Sequence, residues 1–412
     1  MRPDPSQRGS RRRALAAFEA PHFPRAYASG AFWNVSRWAT AFLGAFVVND
    51  LTSSPRMVQL TGTALWAPLL VGGIVGGLLA DRLDRRRTLL TMLGVLIPAS
   101  ALMGILDITN QLQTWMVYVY LLIMGMGWVG DMTSRRTLVF DLVGTERLDN
   151  AMALEMLSSS GGIALGTLAG GSLIEATGTG AAFIGVSLLL SGSFVLLATI
   201  PSPARRDTGA LPVPARQALA EGFGLTRRVP LLLGVLGVTV VANFFMFSYL
   251  PIVPVLADRM DARPILVGLL ASATGFGMAT GAWLVAHFQP RRRGLAYVGG
   301  SAMAMVVLIP FAFTAWYPGA LVLLYVSSIG AGLFGSTQST LVMMAVPEGA
   351  RGRALGLLSM SIGALPVGMF TLGELAERLG APAAVAVSAS AGLVALALWS
   401  WRHPATVGIR AV

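Results

Sequence analysis

Twelve long apolar stretches tile this chain, and nothing else in it constrains the fold as strongly. About 20 consecutive apolar residues are what a helix needs to cross the hydrocarbon of a bilayer. The stretches run over 27–51, 56–80, 87–108, 113–138, 149–174 and 180–200, and then over 230–256, 264–287, 294–315, 318–346, 352–376 and 381–402. Composition agrees with them. The chain is 55% hydrophobic and 12% charged, where a soluble protein carries about 25% charged residues. A continuous apolar surface must therefore face lipid, and the 48 glycines suit membrane helices that approach closely through small side chains. The expected fold is an all-α membrane protein with twelve spans.

The same composition excludes several chemistries. Cysteine is absent, and the three histidines, His22, His287 and His403, are scattered. No Cys/His cluster for a metal and no thiol chemistry can be built from them, so neither a metal nor another cofactor is expected. An enzyme buried in the membrane needs a convergent nucleophile and base, or metal ligands, and no such set is visible. All 30 basic residues are arginine; without lysine the usual G-x-x-x-x-G-K-[ST] phosphate loop is excluded, and with it direct ATP drive by this chain. The net charge of +11 suggests no nucleic-acid partner, because cationic loops on one side of a membrane give the same total.

Arginine placement predicts the topology. With the amino terminus inside, twenty-five of the thirty arginines fall on inner segments, four (Arg56, Arg259, Arg263 and Arg378) fall outside, and Arg37 lies within the first span. That asymmetry predicts both termini in the cytoplasm. Residues 1–26 are polar, with no apolar core before a cleavage site, and are read as a cytoplasmic tail rather than a leader. A Pro/Arg/Gly-rich stretch at 201–229 reads as a cytoplasmic linker, and 403–412 as a second tail. The chain also repeats. Arg85-Arg86-Arg87 after span 2 has a counterpart in Arg291-Arg292-Arg293 after span 8, and Glu146-Arg147 before span 5 has one in 348–353 before span 11. Two pseudo-symmetric six-helix bundles, 27–200 and 230–402, are expected from this parallel repeat.

The loop after span 2 reads Gly77-Leu78-Leu79-Ala80-Asp81-Arg82-Leu83-Asp84-Arg85-Arg86. It resembles the G-x-x-x-D-R-x-G-R-R loop of the major facilitator superfamily, with Asp84 where that family has glycine. The resemblance implies a gate. Gly77 lets spans 2 and 11 touch, Asp81 faces the positive amino terminus of span 11, where a carboxylate gains about 0.3–1 kcal/mol, and Arg82, Arg85 and Arg86 complete the cluster. Arg85 is expected to reach an acidic residue on span 4. Asp84 is expected to pair locally with Arg87. A solvated loop that merely sets topology is the alternative.

Span 5 carries Gly162, Gly166, Gly170 and Gly171. The stretch resembles the G-x-x-x-G-P-x-x-G-G exporter motif of drug:proton antiporters, with Thr167 in place of the proline. Glycines four apart make a smooth face for close packing. Leu51-Thr52-Ser53-Ser54-Pro55, Leu148-Asp149-Asn150-Ala151, the 347–353 segment and Gly363-Ala364-Leu365-Pro366-Val367-Gly368 are similar to the corresponding stretches of enterobactin exporters and macrolide efflux pumps. The resemblance covers residues 27–400.

Charges inside a span each cost at least about 2.5–3.5 kcal/mol at mid-helix. Arg37 in span 1 reads either as a counter-ion for an anionic substrate or as the partner of Asp131. Asp131 and Arg135 in span 4 share a face by four-residue spacing; Asp131 reads as a gating partner or as a proton carrier. Asp50, Asp131 and Glu175 are the proton-coupling candidates, with Asp107 weaker. A pocket between the bundles near mid-membrane would draw on Asn243, Phe244, Phe247 and Tyr249 of span 7, where Pro251 and Pro254 predict a broken helix. Gln338 of span 10 and Trp33, Asn34 and Trp128 are the other candidates.

The sequence thus reads as a secondary transporter. The resemblance implies a proton-coupled exporter of bulky amphipathic compounds, such as drugs, macrolides or siderophores, working as a monomer in the bacterial plasma membrane. Uptake or flipping of a metabolite or lysolipid, and a non-transporting membrane receptor, are the alternatives.

Overall fold

The structure is a computed structural model; it describes residues 16–80, 84–201, 224–347 and 350–409, and gives side-chain surroundings for all of these except residues 71–80, Thr133 and Asp149. Every regular element among the described residues is helical. The first six long helices are α1 (Phe23–Thr52), α2 (Pro55–Ala80), α3 (Arg85–Ile108), α4 (Thr114–Val143), α5 (Leu148–Thr177) and α6 (Thr179–Ala198). Then come α7 (Pro230–Asp258), α8 (Pro264–Phe288), α9 (Arg293–Phe313), α10 (Tyr317–Met344), α11 (Arg351–Leu379) and α12 (Ala381–Arg402). Ten of the twelve carry an apolar window long enough to cross a bilayer among the described residues; α1 and α2 are the other two. In α1 the reason is burial. Its Ser29, Asn34, Ser36, Arg37 and Thr40 all face protein, so polarity there never meets lipid.

Local chemistry sets the helix ends. Asp84 caps α3 by accepting the backbone N–H of Arg87 at 2.9 Å, a side-chain bond worth about 1 kcal/mol; the local pairing expected with the Arg87 side chain is a bond to its backbone instead. Prolines open α7, α8 and α12, where their missing N–H has no helical partner to lose. Gly178 (φ 86°) joins α5 to α6 and Gly380 (φ 81°) joins α11 to α12. Such left-handed backbone favours glycine, and the two turns stand at matching places in the two halves.

Helix packing repeats with the same period. In the first half α2 lies on α4, and α3 on α6; in the second, α8 lies on α10, and α9 on α12. The halves meet along α2–α11 and α5–α8. Exchanging the halves, so that α2 becomes α8 and α11 becomes α5, turns one contact into the other, as a two-fold relation requires. Polar side chains tie the spans internally: Ser29 and Ser193 exchange bonds between α1 and α6, and Ser100 of α3 donates to the Phe183 carbonyl at 2.9 Å.

Three features depart from a straight twelve-helix reading. As the prolines predict, α7 is broken: it is α-helical to Val241, forms a π-turn over Ala242–Met246, and resumes after a short 3₁₀ turn at Leu250–Ile252. In α11 the break falls between Ile362 and Ala364. Residues 16–26, expected as tail, pack instead. Ala17, Phe18 and Phe23 sit against Val139, Val143 and Ala151, and α4 runs five residues past its expected end.

Candidate functional site

Helical spacing gathers four charged side chains beside a group of tryptophans. On α1, Asn34, Arg37 and Trp38 share a face; on α4, Trp128, Asp131 and Arg135 do; on α5, Glu155, Ser158, Ser159 and Gly162 do. Arg37, Arg135 and Asp131 are 5%, 4% and 6% exposed. The Arg37 guanidinium stands 3.8 Å from the Trp128 ring centroid and 5.4 Å from that of Trp38, a cation–π stack. Its Nη2 lies 3.5 Å from the Ser159 hydroxyl, and Asn34 donates to Ser158 at 3.1 Å. Trp66 of α2 closes the group, 4.1 Å from Trp128 and 6.4 Å from Trp38. Arg135 donates its Nε to Asp131 at 2.6 Å. Both arginines keep buried N–H groups without partners: Nε of Arg37, and Nη1 and Nη2 of Arg135. Asp131 lies within electrostatic range of Arg37 as well.

The fourth charge, Glu155, was not among the sequence candidates. Its Oε1 is buried without a hydrogen-bond partner, and its electrostatic neighbours are Arg135, Asp131 and Arg136. Arg37, near the middle of its span, alone costs about 2.5–3.5 kcal/mol by insertion scales. Groups of that cost inside a span mark function.

An apolar cavity of about 60 Å³ lies on the seam between the halves, lined by Trp38, Trp66, Thr61, Thr167, Pro251 and Met369 among others. Trp38 and Trp66 belong both to this wall and to the tryptophan group around Arg37. The cavity has room for water-sized contents in this conformation, so a large solute requires the halves to part.

The sequence candidates divide between these places. Asn34, Arg37 and Trp128 converge as described, and Trp33 is fully buried beside them on α1. In the second half Asn243 donates to the Thr239 carbonyl at 2.9 Å, and Gln338 donates to the Thr239 hydroxyl at 3.3 Å. Phe247 packs on Phe334, and Phe244 on Phe245. The Tyr249 hydroxyl lies 3.4 Å from that of Thr274, a cavity residue. None of these nine lines the cavity itself. Its wall comes from their neighbours, and the sequence signal for Trp38 and Trp66 was only their type.

The expected gate residues Gly77, Asp81 and Arg82 lie outside the residues whose contacts are described. Arg85 pairs with Asp141 of α4, ten residues beyond Asp131. The acidic residue that receives the loop arginine is thus nearer the helix end than expected, because Asp131 is held by Arg135. Arg86 donates to the Leu197 and Ala198 carbonyls at 3.3 and 2.7 Å, capping α6, where a cation suits the dipole. Among the proton candidates, Asp50 is exposed, Glu175 pairs with Arg263 at 3.4 Å and Asp107 accepts from Thr179.

The four α5 glycines serve two neighbours. A side chain at Gly162 or Gly166 would meet α1 backbone at Asn34, Val35 and Ala39 within 3.0 Å, and one at Gly170 would meet the Phe42 ring at 2.9 Å. One at Gly171 would meet Pro264 and Gly268 of α8 at 2.5 and 2.8 Å. So α5 is seated on α1 by one face and on the other half by another. Several polar contacts between the halves gather toward one end, among them Asn49–Asp258 (2.7 Å), Ser54–Glu377 (2.9 Å), Arg56–Glu374 (2.8 Å), Glu175–Arg263, Gln59 to the Ser248 carbonyl and, deepest, Thr63 to the Pro366 carbonyl.

Relatives and solved structures agree with this architecture. The chain is 27% identical over 358 residues to the enterobactin exporter EntS of Shigella flexneri, covering 84% of this chain and 83% of the relative. To that of Citrobacter koseri it is 27% identical over 369 residues, covering 85% and 84%. Among solved structures, a bacterial homolog of the human lysosomal transporter Spinster, inward-facing and unoccupied, superposes with a TM-score of 0.70 at 15% identity over 94% of this chain and 96% of that one. A mutant of the nucleoside transporter NupG does so at 0.73 and 11% identity, over 91% and 98%. The family model described as Major Facilitator Superfamily matches residues 27–370. With its twelve-helix, two-fold architecture and its charged cluster beside the seam, the chain is a multi-pass membrane transporter, not an enzyme, and it belongs to the Major Facilitator Superfamily.

Proposed function

We propose that the protein is a proton-driven exporter of bulky amphipathic compounds, acting by alternating access in a bacterial plasma membrane. The observation that carries this reading is the tryptophan wall shared by the seam cavity and the cluster of buried Arg37, Asp131 and Arg135 with half-buried Glu155. Aromatic faces suit a large apolar solute, and ionisable groups at the same depth can link its movement to protons. Export is supported by the relatives named as enterobactin exporters. The units 27–200 and 230–402 are the moving bodies, joined through the 201–229 linker. Arginine placement puts the linker, both tails and the Arg85 end of the bundle in the cytoplasm. The seam contacts described above then fasten the outer end. Gly77, Asp81 and Arg82 belong to the gate at the cytoplasmic end.

Everted vesicles carrying the protein should accumulate hydrophobic dyes, macrolides or catecholate siderophores when a pH gradient is imposed, and lose them when it is collapsed. Accumulation equal to protein-free vesicles for every compound would sink the exporter reading.

A further inference from the structure

We infer that Glu155 is the carboxyl group through which protons drive the cycle, and that it works by competing with Asp131 for Arg135. The inference rests on the proton-driven reading above and names the residue that carries the coupling.

Two observations meet at one point. Arg135 is 4% exposed and engages Asp131 through Nε alone, leaving Nη1 and Nη2 without partners. Glu155 Oε1 is buried without a partner, and among the described residues Glu155 forms no ion pair. The two unsatisfied groups converge beside Gly30 of α1. A side chain built at Gly30 would lie 3.4 Å from Arg135 Nη1 and 3.4 Å from Glu155 Oε1. Of the carboxylates considered for coupling, Asp131 is bound to Arg135, Glu175 to Arg263, and Asp50 is exposed. Glu155 is half-buried, inside a span and unpaired.

The charged surroundings define the switch. From α4, Glu155 faces Asp131, Arg135 and Arg136; from α1, Tyr27. Helix α6 carries no ionisable residue, and the one on α8, His287, is exposed and stacked on Trp283. Glu19, beside the start of α5, pairs with Arg147. With Glu155 ionised, the cluster of Arg37, Asp131, Arg135 and Glu155 is neutral, and the open Nη groups of Arg135 are drawn to Glu155. With a proton taken from water onto Glu155, the cluster carries one positive charge and Arg135 falls back to Asp131, the arrangement seen here. Release of that proton to water on the other side of the membrane resets it. The exchange reaches the seam directly, because α5 carries both Glu155 and Gly171, whose backbone touches Gly268 of α8.

The chain has no cysteine, so a reporter pair can be placed without background. Gln111→Cys and Trp316→Cys, spin-labelled in lipid nanodiscs, report the separation of the halves at the Arg56 end. In the otherwise unchanged protein the distance distribution should shift between pH 5 and pH 8.5 with a one-proton midpoint. In Glu155→Gln it should stay at the low-pH distribution throughout, and Glu155→Asp should restore a titration. Asp131→Asn should move it toward the high-pH form. A Glu155→Gln protein that titrates like its parent, or a parent that does not respond to pH, overturns the inference. Uptake of the dye Hoechst 33342 by everted vesicles separates this from the underlying reading. If the parent is gradient-driven and Glu155→Gln equally so, the Glu155 assignment alone falls. If the parent shows no gradient dependence, proton-driven transport falls and Glu155 with it.

Discussion

The two ends of the bundle are fastened in different ways. At the Arg56 end, ion pairs cross from one half to the other, and they are open to water: Arg56 and Glu374 are 50% and 30% exposed, Arg263 and Glu175 are 71% and 29%. Toward the Arg85 end, Arg85–Asp141, Arg135–Asp131 and Arg147–Glu19 are pairs within the first half, and the deeper ones are buried. Asp131 and Arg135 are 9% and 4% exposed as side chains, and Asp141, which holds Arg85, is 7%. An exposed pair is worth about 0–1 kcal/mol, whereas breaking a buried one by removing a partner costs about 3–5 kcal/mol. By its ion pairs the first half is therefore tied to itself more firmly than to its partner. Bodies that keep their shape while their shared seam opens and closes need this distribution.

Substitutions can test that contrast. The largest stability loss is expected for Arg135→Met, which strands Asp131 in the interior at a cost of about 3–5 kcal/mol; thermal unfolding in detergent should show it. Gly171→Leu should be the most damaging change to transport while leaving each half folded. Its side chain has no room against Pro264 and Gly268, so vesicle uptake should fall at least about tenfold, the effect of roughly 1.4 kcal/mol on one conformational state. Arg85→Ala leaves Asp141 without its partner and should cost about 1–3 kcal/mol, read as a lower unfolding midpoint. Smallest in stability is Glu374→Gln, expected below about 1 kcal/mol. Its signature is different: the distance between labels at Gln111 and Trp316 should lengthen while the unfolding midpoint barely moves. A midpoint drop for Glu374→Gln as large as that for Arg135→Met would erase the contrast between the ends.

Much of the fold was legible because lipid imposes a simple rule. Apolar runs, arginine placement and the repeat of Arg85–Arg87 at Arg291–Arg293 lead to twelve helices in two related bundles, and the prolines of α7 mark its break. The site was less legible. Asn34, Arg37 and Trp128 could be picked out because polar or amphipathic side chains within spans are unusual. Glu155 obeys the same rule and was passed over, because it lies only seven residues into its helix, where a carboxylate reads as solvated. Only the packing of Gly30 against both α4 and α5 reveals that it converges with Arg135. The expectation that Arg85 reaches an acidic residue of α4 is met at Asp141. Four-residue spacing on α4 already engages Asp131 with Arg135, leaving Asp141 to receive the loop.

The glycine contact between α5 and α8 also bears on how far the halves travel. The helices touch backbone to backbone from Ala164–Gly275 to Gly171–Gly268, with no large side chains to interdigitate, so they can roll on one another as a fulcrum. From Gly171 to the near end of α5 at Thr177 is about 9 Å, and from Ala164 back to Leu148 about 24 Å, at 1.5 Å per residue. The arms are unequal. Parting the Arg56 end by about 2 Å swings the opposite end by about 5 Å over these arms, so breaking a few weak exposed bonds on the short side drives the larger displacement on the long one.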